Sequence, residues 1–482
     1  MRKYALLTGL GVVLALALTS SEASAVPSFA RMTGLTCNQC HVSFSPVPTF
    51  TFTGKKFRLN GYRAPHVAAK MEAGEEGKVN GKRLAIGLSD YFSFRFGSTL
   101  LGQSKPSWNP TGPEPSSSSL STNPYTNAAI YFVGPIGDHI GMWNEFYFST
   151  GGVNSTSNGV SQGTNTFRVI GYDEYDIKYV WNTENSILGV NLSTQSINQT
   201  LGFGPFPTGL TSHSQRGGFA QAHPPYANLS VYGFFNDRLA VTVGLQPGED
   251  NLEYSCTDRN KNGQRDDGNC LNYQGMIGYA LQNSDENELW IAAWAKVGND
   301  AVPIVSSTSL SADRSRWTFS DAINGVSATR TNLPAASRVA YTNEDIGDFF
   351  RSYYELWWGT IDRGPHSAQV TLRYNINNEE YADKSKVVDN AIGLGARYIY
   401  DRTWGLNLAI EKDTKYEFTD FSGKVHDVPR SILLSSAWSY RPAMNFSVNL
   451  NVSNTRATRL VPAGQQRYNN GWSWNLGLDY LF

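Results

Sequence analysis

The residues able to do chemistry gather at two points in the chain. The first is "CNQCH", in which Cys37 and Cys40 are separated by two residues and followed directly by His41. Two thiols at this spacing can add to the two vinyl groups of a haem, and the adjacent imidazole then meets the iron from one face. A thiol–disulfide pair and half of a zinc site share the spacing. The former belongs on a thioredoxin-like βαβ unit and the latter needs a second ligand pair nearby, and neither accompanies this motif. One covalently attached haem c is therefore expected, held by Cys37 and Cys40 with His41 as axial ligand. For the opposite axial position the same region offers Met32, His66 and Met71. Met32 is too close to Cys37 to wrap to the far face. Met71 is the first choice and His66 the alternative, a thioether raising the reduction potential relative to a second imidazole. Arg31, Lys55, Lys56 and Arg58 could neutralise haem propionates, although basic residues in a small segment need no such reason.

The second point is "CTDRNKNGQRDDGNC", which contains the remaining two of the four cysteines, Cys256 and Cys270. In an oxidising compartment their spacing predicts a loop-closing disulfide. Between them Asp258, Asn260, Asn262 and Asp266 stand at near-alternate positions around Gly263. Oxygen ligands so spaced resemble loops that wrap Ca²⁺, with Gly permitting the turn. Asn269 stands where an EF-hand has its bidentate Glu, so the competing readings are a stapled polar loop or weak iron capture by the same carboxylates.

These sites must be positioned by what surrounds them. Residues 1–25 have the pattern of a signal peptide: Arg2 and Lys3, the apolar "ALLTGLGVVLALALT", then "ASA" before Val26. No later stretch is long and apolar enough for a transmembrane helix. The net charge of −1 suggests neither nucleic acid nor an anionic surface as partner. From residue 83 onward apolar and polar residues alternate. In "WSWNLGLDYLF" one face carries Trp472, Trp474, Leu476, Leu478, Tyr480 and Phe482, and the other Ser473, Asn475, Gly477 and Asp479. A period of two is that of strands. It predicts strands near 83–96, 128–134, 139–149, 166–181, 185–193, 226–235, 238–247, 271–282, 287–298, 348–360, 365–377, 386–400, 403–412, 429–440, 443–454 and 466–482. Short connectors such as "ND", "DR" and "NTEN" alternate strictly with long ones.

That rhythm is the one of outer-membrane barrels, with brief periplasmic turns, long outer loops and an even strand count that leaves both barrel termini periplasmic. A soluble sandwich also alternates. Its core would not hold the charges expected on the inner faces here, namely Arg168, Asp176, Lys178, Arg373, Glu411 and Asp479, which are better read as lining a solvated lumen. The expected fold is therefore all-β: a transmembrane outer-membrane β-barrel of about sixteen strands over 83–482, preceded by a small c-type haem segment over 26–82. That segment is short for a free-standing core, and a wide lumen can enclose it, so it is expected to plug the barrel.

"VPSFARMTGLTCNQCHVSF" followed by "FTGKKFRLNGY" resembles the start of the fused monohaem cytochrome–porin family of outer-membrane iron oxidases. The resemblance covers about 40 N-terminal residues in detail and the remainder in architecture. It implies an iron(II):cytochrome c oxidoreductase working by one-electron transfer. Extracellular Fe(II) would be the donor, a periplasmic cytochrome or other carrier the acceptor, and the lipid bilayer the surrounding medium. Two rival readings stay open: a porin-type channel with a haem-bearing plug, and a reverse conduit that reduces extracellular acceptors.

Overall fold

A computed structural model describes residues 28–29, 40–43, 49–63, 91–105, 119–157, 160–194, 228–247, 271–284, 286–301, 307–310, 317–321, 326–330, 347–363, 365–380, 386–419, 423, 425–427, 431–443, 446–461 and 465–481. Sixteen long antiparallel strands close into a barrel. They are β3 (Phe92–Lys105), β4 (Ser119–Ile136), β5 (Ile140–Ser157), β6 (Val160–Thr183), β7 (Ser186–Ser193), β8 (Asn228–Phe235), β9 (Leu239–Pro247), β10 (Leu271–Asn283), β11 (Asn287–Ala301), β15 (Gly347–Arg363), β16 (His366–Glu380), β17 (Lys386–Tyr400), β18 (Trp404–Thr419), β20 (Ser431–Ala443), β21 (Phe446–Val461) and β22 (Gln465–Leu481). Each pairs with its sequence neighbour, and the last closes on the first, from Trp472 opposite Lys105 to Leu481 opposite Arg95. Closure leaves no unpaired edge, which a sheet in hydrocarbon cannot tolerate. Among the described residues no helix is long and apolar enough to cross a membrane.

The barrel is apolar outside and polar within, the inverse of a soluble core. Outward residues such as Leu192, Val231, Val243, Ile277, Ile291, Leu356, Leu394 and Ile410 are exposed, while inward Asp176, Lys178, Asn191, Glu288, Arg373 and Glu411 are buried. Aromatics gather at the short-turn ends of the strands, where Tyr179 meets Trp181 at 4.6 Å and Trp404 meets Tyr440 at 4.4 Å between ring centroids. This is an interfacial girdle of the kind that sets such barrels at the headgroup level of a bilayer. The tight turns are built from Asn236–Asp237 and Asp401–Arg402, whose φ values of 48°, 57°, 47° and 54° are those of two-residue hairpin loops.

All sixteen predicted strands are present, but the structure moves their boundaries. The first begins at Phe92 and runs to Lys105, into what was expected to be loop, and residues 83–90 lie outside the described residues. β4 begins already at Ser119 and β5 runs on to Ser157, while β18 and β21 run on to Thr419 and Val461. Every one of these extensions is on the long-loop side. Beyond the lipid band the hairpins continue with water on both faces, so backbone pairing persists after apolar alternation has ended. In the long 299–347 connection, β12 (Ser307–Leu310), β13 (Trp317–Asp321) and β14 (Val326–Arg330) form a separate three-stranded sheet. A short β19 (Val425–Asp427) pairs on β18 beside the barrel wall.

Candidate functional site

Inside the barrel, at its short-turn end, sits the stretch that follows the CxxCH motif. β1 (His41–Ser43) pairs with β2 (Thr49–Phe50), His41 lying opposite Phe50. α1 (Phe52–Leu59) follows at once, capped by Thr51, whose Oγ1 accepts from Gly54 N at 3.0 Å. Thr51 N also donates to the Cys40 carbonyl at 2.9 Å. The motif is thereby tied to the first turn of α1. Gly54 makes this possible, because a Cβ there would collide with the Cys40 backbone. Helix α1 ends at Asn60, and the chain then turns through Gly61 and Tyr62, both at positive φ (63° and 61°), with Tyr62 N returning to the Phe57 carbonyl at 2.9 Å. Gly suits that conformation; for Tyr it is strained, and the surrounding contacts have to outweigh the cost.

Those contacts are numerous. Tyr62 donates from its hydroxyl to Asp176, which also accepts from Lys178 and Asn191. Burial and the Asp176 charge push the Tyr62 phenol well above the ordinary tyrosine value, so it stays neutral and remains a donor. Lys55 Nζ pairs with Glu288 Oε2 at 2.5 Å and lies 4.5 Å from the Trp357 ring centroid. Gln369 donates to the other Glu288 oxygen at 3.0 Å. Lys56 pairs with Asp237 in the β8–β9 turn at 3.0 Å. Tyr232 donates to the Leu59 carbonyl at 2.6 Å, and Arg63 donates to the carbonyls of Gly137 and Ile140. Leu59 is itself buried in an aromatic cluster with Tyr232, Phe234, Trp290 and Trp357. Upstream of the motif, Phe29 stacks on Tyr62 at 5.2 Å and meets Phe57 edge-on at 5.0 Å, while Ser28 N donates to Ser93 of β3. The chain is thus clamped to the inner wall both before and after Cys37–His41.

The structure bears on two expectations. Lys55 and Lys56 each pair with a barrel carboxylate, Glu288 and Asp237; Arg58 stands 5.5 Å from the Phe50 ring centroid, beside the motif, and Arg31 lies outside the described residues. Asp176 and Lys178 do not face a solvated lumen. Both are fully buried, because the plug covers them. Arg373 and Glu411 are buried likewise, and Arg373 pairs with Glu355 at 2.5 Å, whereas Asp479 does reach water as expected. The side chain of Arg168 lies outside the described residues.

Of the predicted haem residues, Cys40 is half-buried and the His41 backbone is in β1, whereas Cys37, His66 and Met71 lie outside the described residues. So do Cys256, Cys270, Asp258, Asn260, Asn262 and Asp266. Among the described residues there is no group of three or more His, Cys, Asp or Glu able to hold a metal ion. The arrangement fits a covalently attached haem in its donor set and in its support: two thiols and an imidazole within five residues, with the chain held to the wall at Ser28 before them and at residues 49–63 after them, beside Phe50 and Arg58. Sequence reasoning missed the anchors Glu288, Asp176, Asp237 and Tyr232. The one signal it had was "LNGY", whose Asn-Gly pair marks a turn.

No protein-family model and no curated protein matches the chain. Among solved structures it is similar to the trimer form of OmpT, an outer-membrane protein of Vibrio cholerae, at 10% identity, with 81% of this chain and 98% of that one covered and a TM-score of 0.44. It is similar to the outer-membrane channel DcaP of Acinetobacter baumannii at 10% identity, 81% and 96% coverage and a TM-score of 0.45. An anion-selective porin from Comamonas acidovorans stands at 9% identity, 81% and 98% coverage and 0.44. Likeness at this level reaches no further than the fold.

Proposed function

We propose that the chain is an outer-membrane electron conduit, in which a c-type haem carried on the plug takes electrons from extracellular Fe(II) and passes them to a periplasmic carrier. The observation that carries this reading is the clamping of the CxxCH loop inside the barrel at both of its ends, by Ser28 and Phe29 before it and by residues 49–63 after it. A carrier that merely needed tethering would not require a dry ion pair, a buried phenol and a close Gly54–Cys40 approach. When bound, the haem supplies reversible one-electron transfer at its iron. The Cys37 and Cys40 thiols would hold it covalently, and His41 with Met71, or failing that His66, would ligate its iron. One-electron transfer asks no acid–base group of the protein, only a fixed cofactor and close approach of the donor.

The test is to mix purified oxidised protein with Fe(II) while recording the haem absorption bands. The expected result is their shift to the reduced form, and no reduction at any pH from acid to neutral overturns the iron-oxidase reading. Cys40→Ser should leave the chain without full covalent haem attachment. Met71→Ala and His66→Ala should separate the axial candidates by which one loses the low-spin spectrum. A potentiometric titration distinguishes this direction from a reverse conduit. A second reading, a porin-type channel whose haem-bearing segment is a plug, is favoured by one observation: part of the inner wall remains wet, with the inward Arg95 and Asp479 side chains 38% and 28% exposed.

A further inference from the structure

The inward ion pairs divide the lumen. Against the plug they are dry: Lys178–Asp176 is 0% and 0% exposed, Lys55–Glu288 7% and 0%, and Arg373–Glu355 2% and 3%. On the β3–β22 wall the Arg95–Asp479 pair, joined at 2.8 Å and 3.0 Å, is about a third exposed (38% and 28%). The inner face above it is a ladder of uncharged polar pairs across β21 and β22. Asn451 Nδ2 donates to Asn475 Oδ1 at 2.9 Å, and Ser453 and Ser473 meet through their hydroxyls at 2.7 Å. Asn475 is exposed although it faces inward, and Asn449, Asn451, Ser453 and Ser473 are only half-buried. From Ser473 to Asp479 the strand runs about 20 Å along its own axis, which at the ~40° tilt of such strands is about 15 Å of the ~25 Å apolar band.

We infer that the barrel keeps a water-filled passage beside its plug, along the inner faces of β21, β22 and β3, which admits small uncharged hydrophilic solutes. The lining supplies amides and hydroxyls that can replace lost hydration hydrogen bonds. Among its described side chains the one charged station, Arg95–Asp479, is self-compensated, so this part of the lane carries little field to select ions by sign. The wall from β15 to β18 instead carries buried charges of both signs, Arg351, Glu355, Arg373, Asp389, Arg397 and Glu411. This deepens the channel reading and holds whether or not a haem is carried.

The full-length protein in planar bilayers in potassium chloride should give a steady conductance with a cation-to-anion permeability ratio near one, and vesicles containing it should swell in an uncharged pentose. Asn475→Trp and Asn451→Trp should each lower the conductance severalfold. If a Trp variant fails to assemble, Ser473→Cys treated with a bulky thiol reagent, against the parent treated alike, should give the same block. No conductance from the folded parent overturns both the channel reading and the lane. A conductance untouched by these variants, or strongly anion-selective, overturns the lane and leaves the channel reading standing.

Discussion

Replacing Lys55 by Met tests what seats the plug. Lys55 Nζ and Glu288 Oε2 are 2.5 Å apart with side-chain exposures of 7% and 0%, and the ammonium also lies 4.5 Å from the Trp357 ring centroid. Met preserves most of the volume and removes the cation. Glu288 then keeps only its bond from Gln369 at 3.0 Å and remains a buried charge without its counterion. Breaking one side of such a pair costs about 3–5 kcal/mol. If that cost falls on docking, the ratio of seated to unseated plug drops by a factor of roughly 150 to 5,000. Glu288→Gln should cost less, because the ammonium loses its nearest carboxylate but keeps the Trp357 and Trp290 rings. The double variant removes both charges and should recover most of the loss, since a buried pair is worth little against an uncharged replacement. Hydrogen exchange of residues 49–63 in the full-length folded protein reads this directly, because the Lys55, Asn60 and Tyr62 amides are bonded within that stretch. Unchanged protection in both single variants refutes the claim that the pair seats the plug. A double variant as exposed as the singles refutes the charge argument.

Other expectations follow from the same contacts. Gly54→Ala places a Cβ against the Cys40 backbone and should cost about 1–3 kcal/mol of plug stability, visible as faster exchange in α1; a neutral result would mean that the approach is not tight. Tyr62→Phe keeps the stack on Phe29 but removes the donor to Asp176, and should cost about 1.5–3 kcal/mol by the same exchange measurement. Because the folded state holds the Tyr62 proton more tightly than the unfolded state does, its contribution is complete below the ordinary tyrosine value of about 10 and is lost only as pH rises through the raised one. Plug protection, corrected for intrinsic exchange, should therefore be flat up to about pH 9 as far as this group is concerned, and a fall below that pH which Tyr62→Phe abolishes would contradict the assignment. Leu394→Arg puts a charge on the lipid face, where Leu394 is 49% exposed, and should destabilise the barrel by about 2–4 kcal/mol in denaturant unfolding in lipid; an unaffected midpoint would mean that the face does not meet lipid.

The strands were legible because each spanning residue must satisfy lipid on one side or the lumen on the other, and this stamps a period of two on the sequence. Where lipid ends, the stamp ends, which is why the outer extensions at Ser119, Ser157 and Val461 and the β12–β14 sheet were not foreseen. The CxxCH motif carries its proposed chemistry locally, in five consecutive residues. Its anchoring was not legible, because Lys55 finds Glu288 and Tyr62 finds Asp176 at sequence separations of 233 and 114 residues, and nothing in either partner's neighbourhood marks it. Inner-face charges could be named from alternation alone, but whether each was dry or wet depended on which wall the plug covers.

The plug's contacts also bear on how the molecule can be assembled. Apart from Ser93, at the start of β3, its named partners Asp176, Tyr232, Asp237, Glu288 and Trp357 lie between β6 and β15, whereas the seam joining β22 to β3 carries the partly exposed Arg95–Asp479 pair. The sheet can therefore curl around its N-terminal segment as around a mandrel, with the final strand zipping shut over water and not over packed side chains. If the proposed haem is fastened at Cys37 and Cys40 before closure, it would never have to thread a finished ring, because the wall would still be open around it.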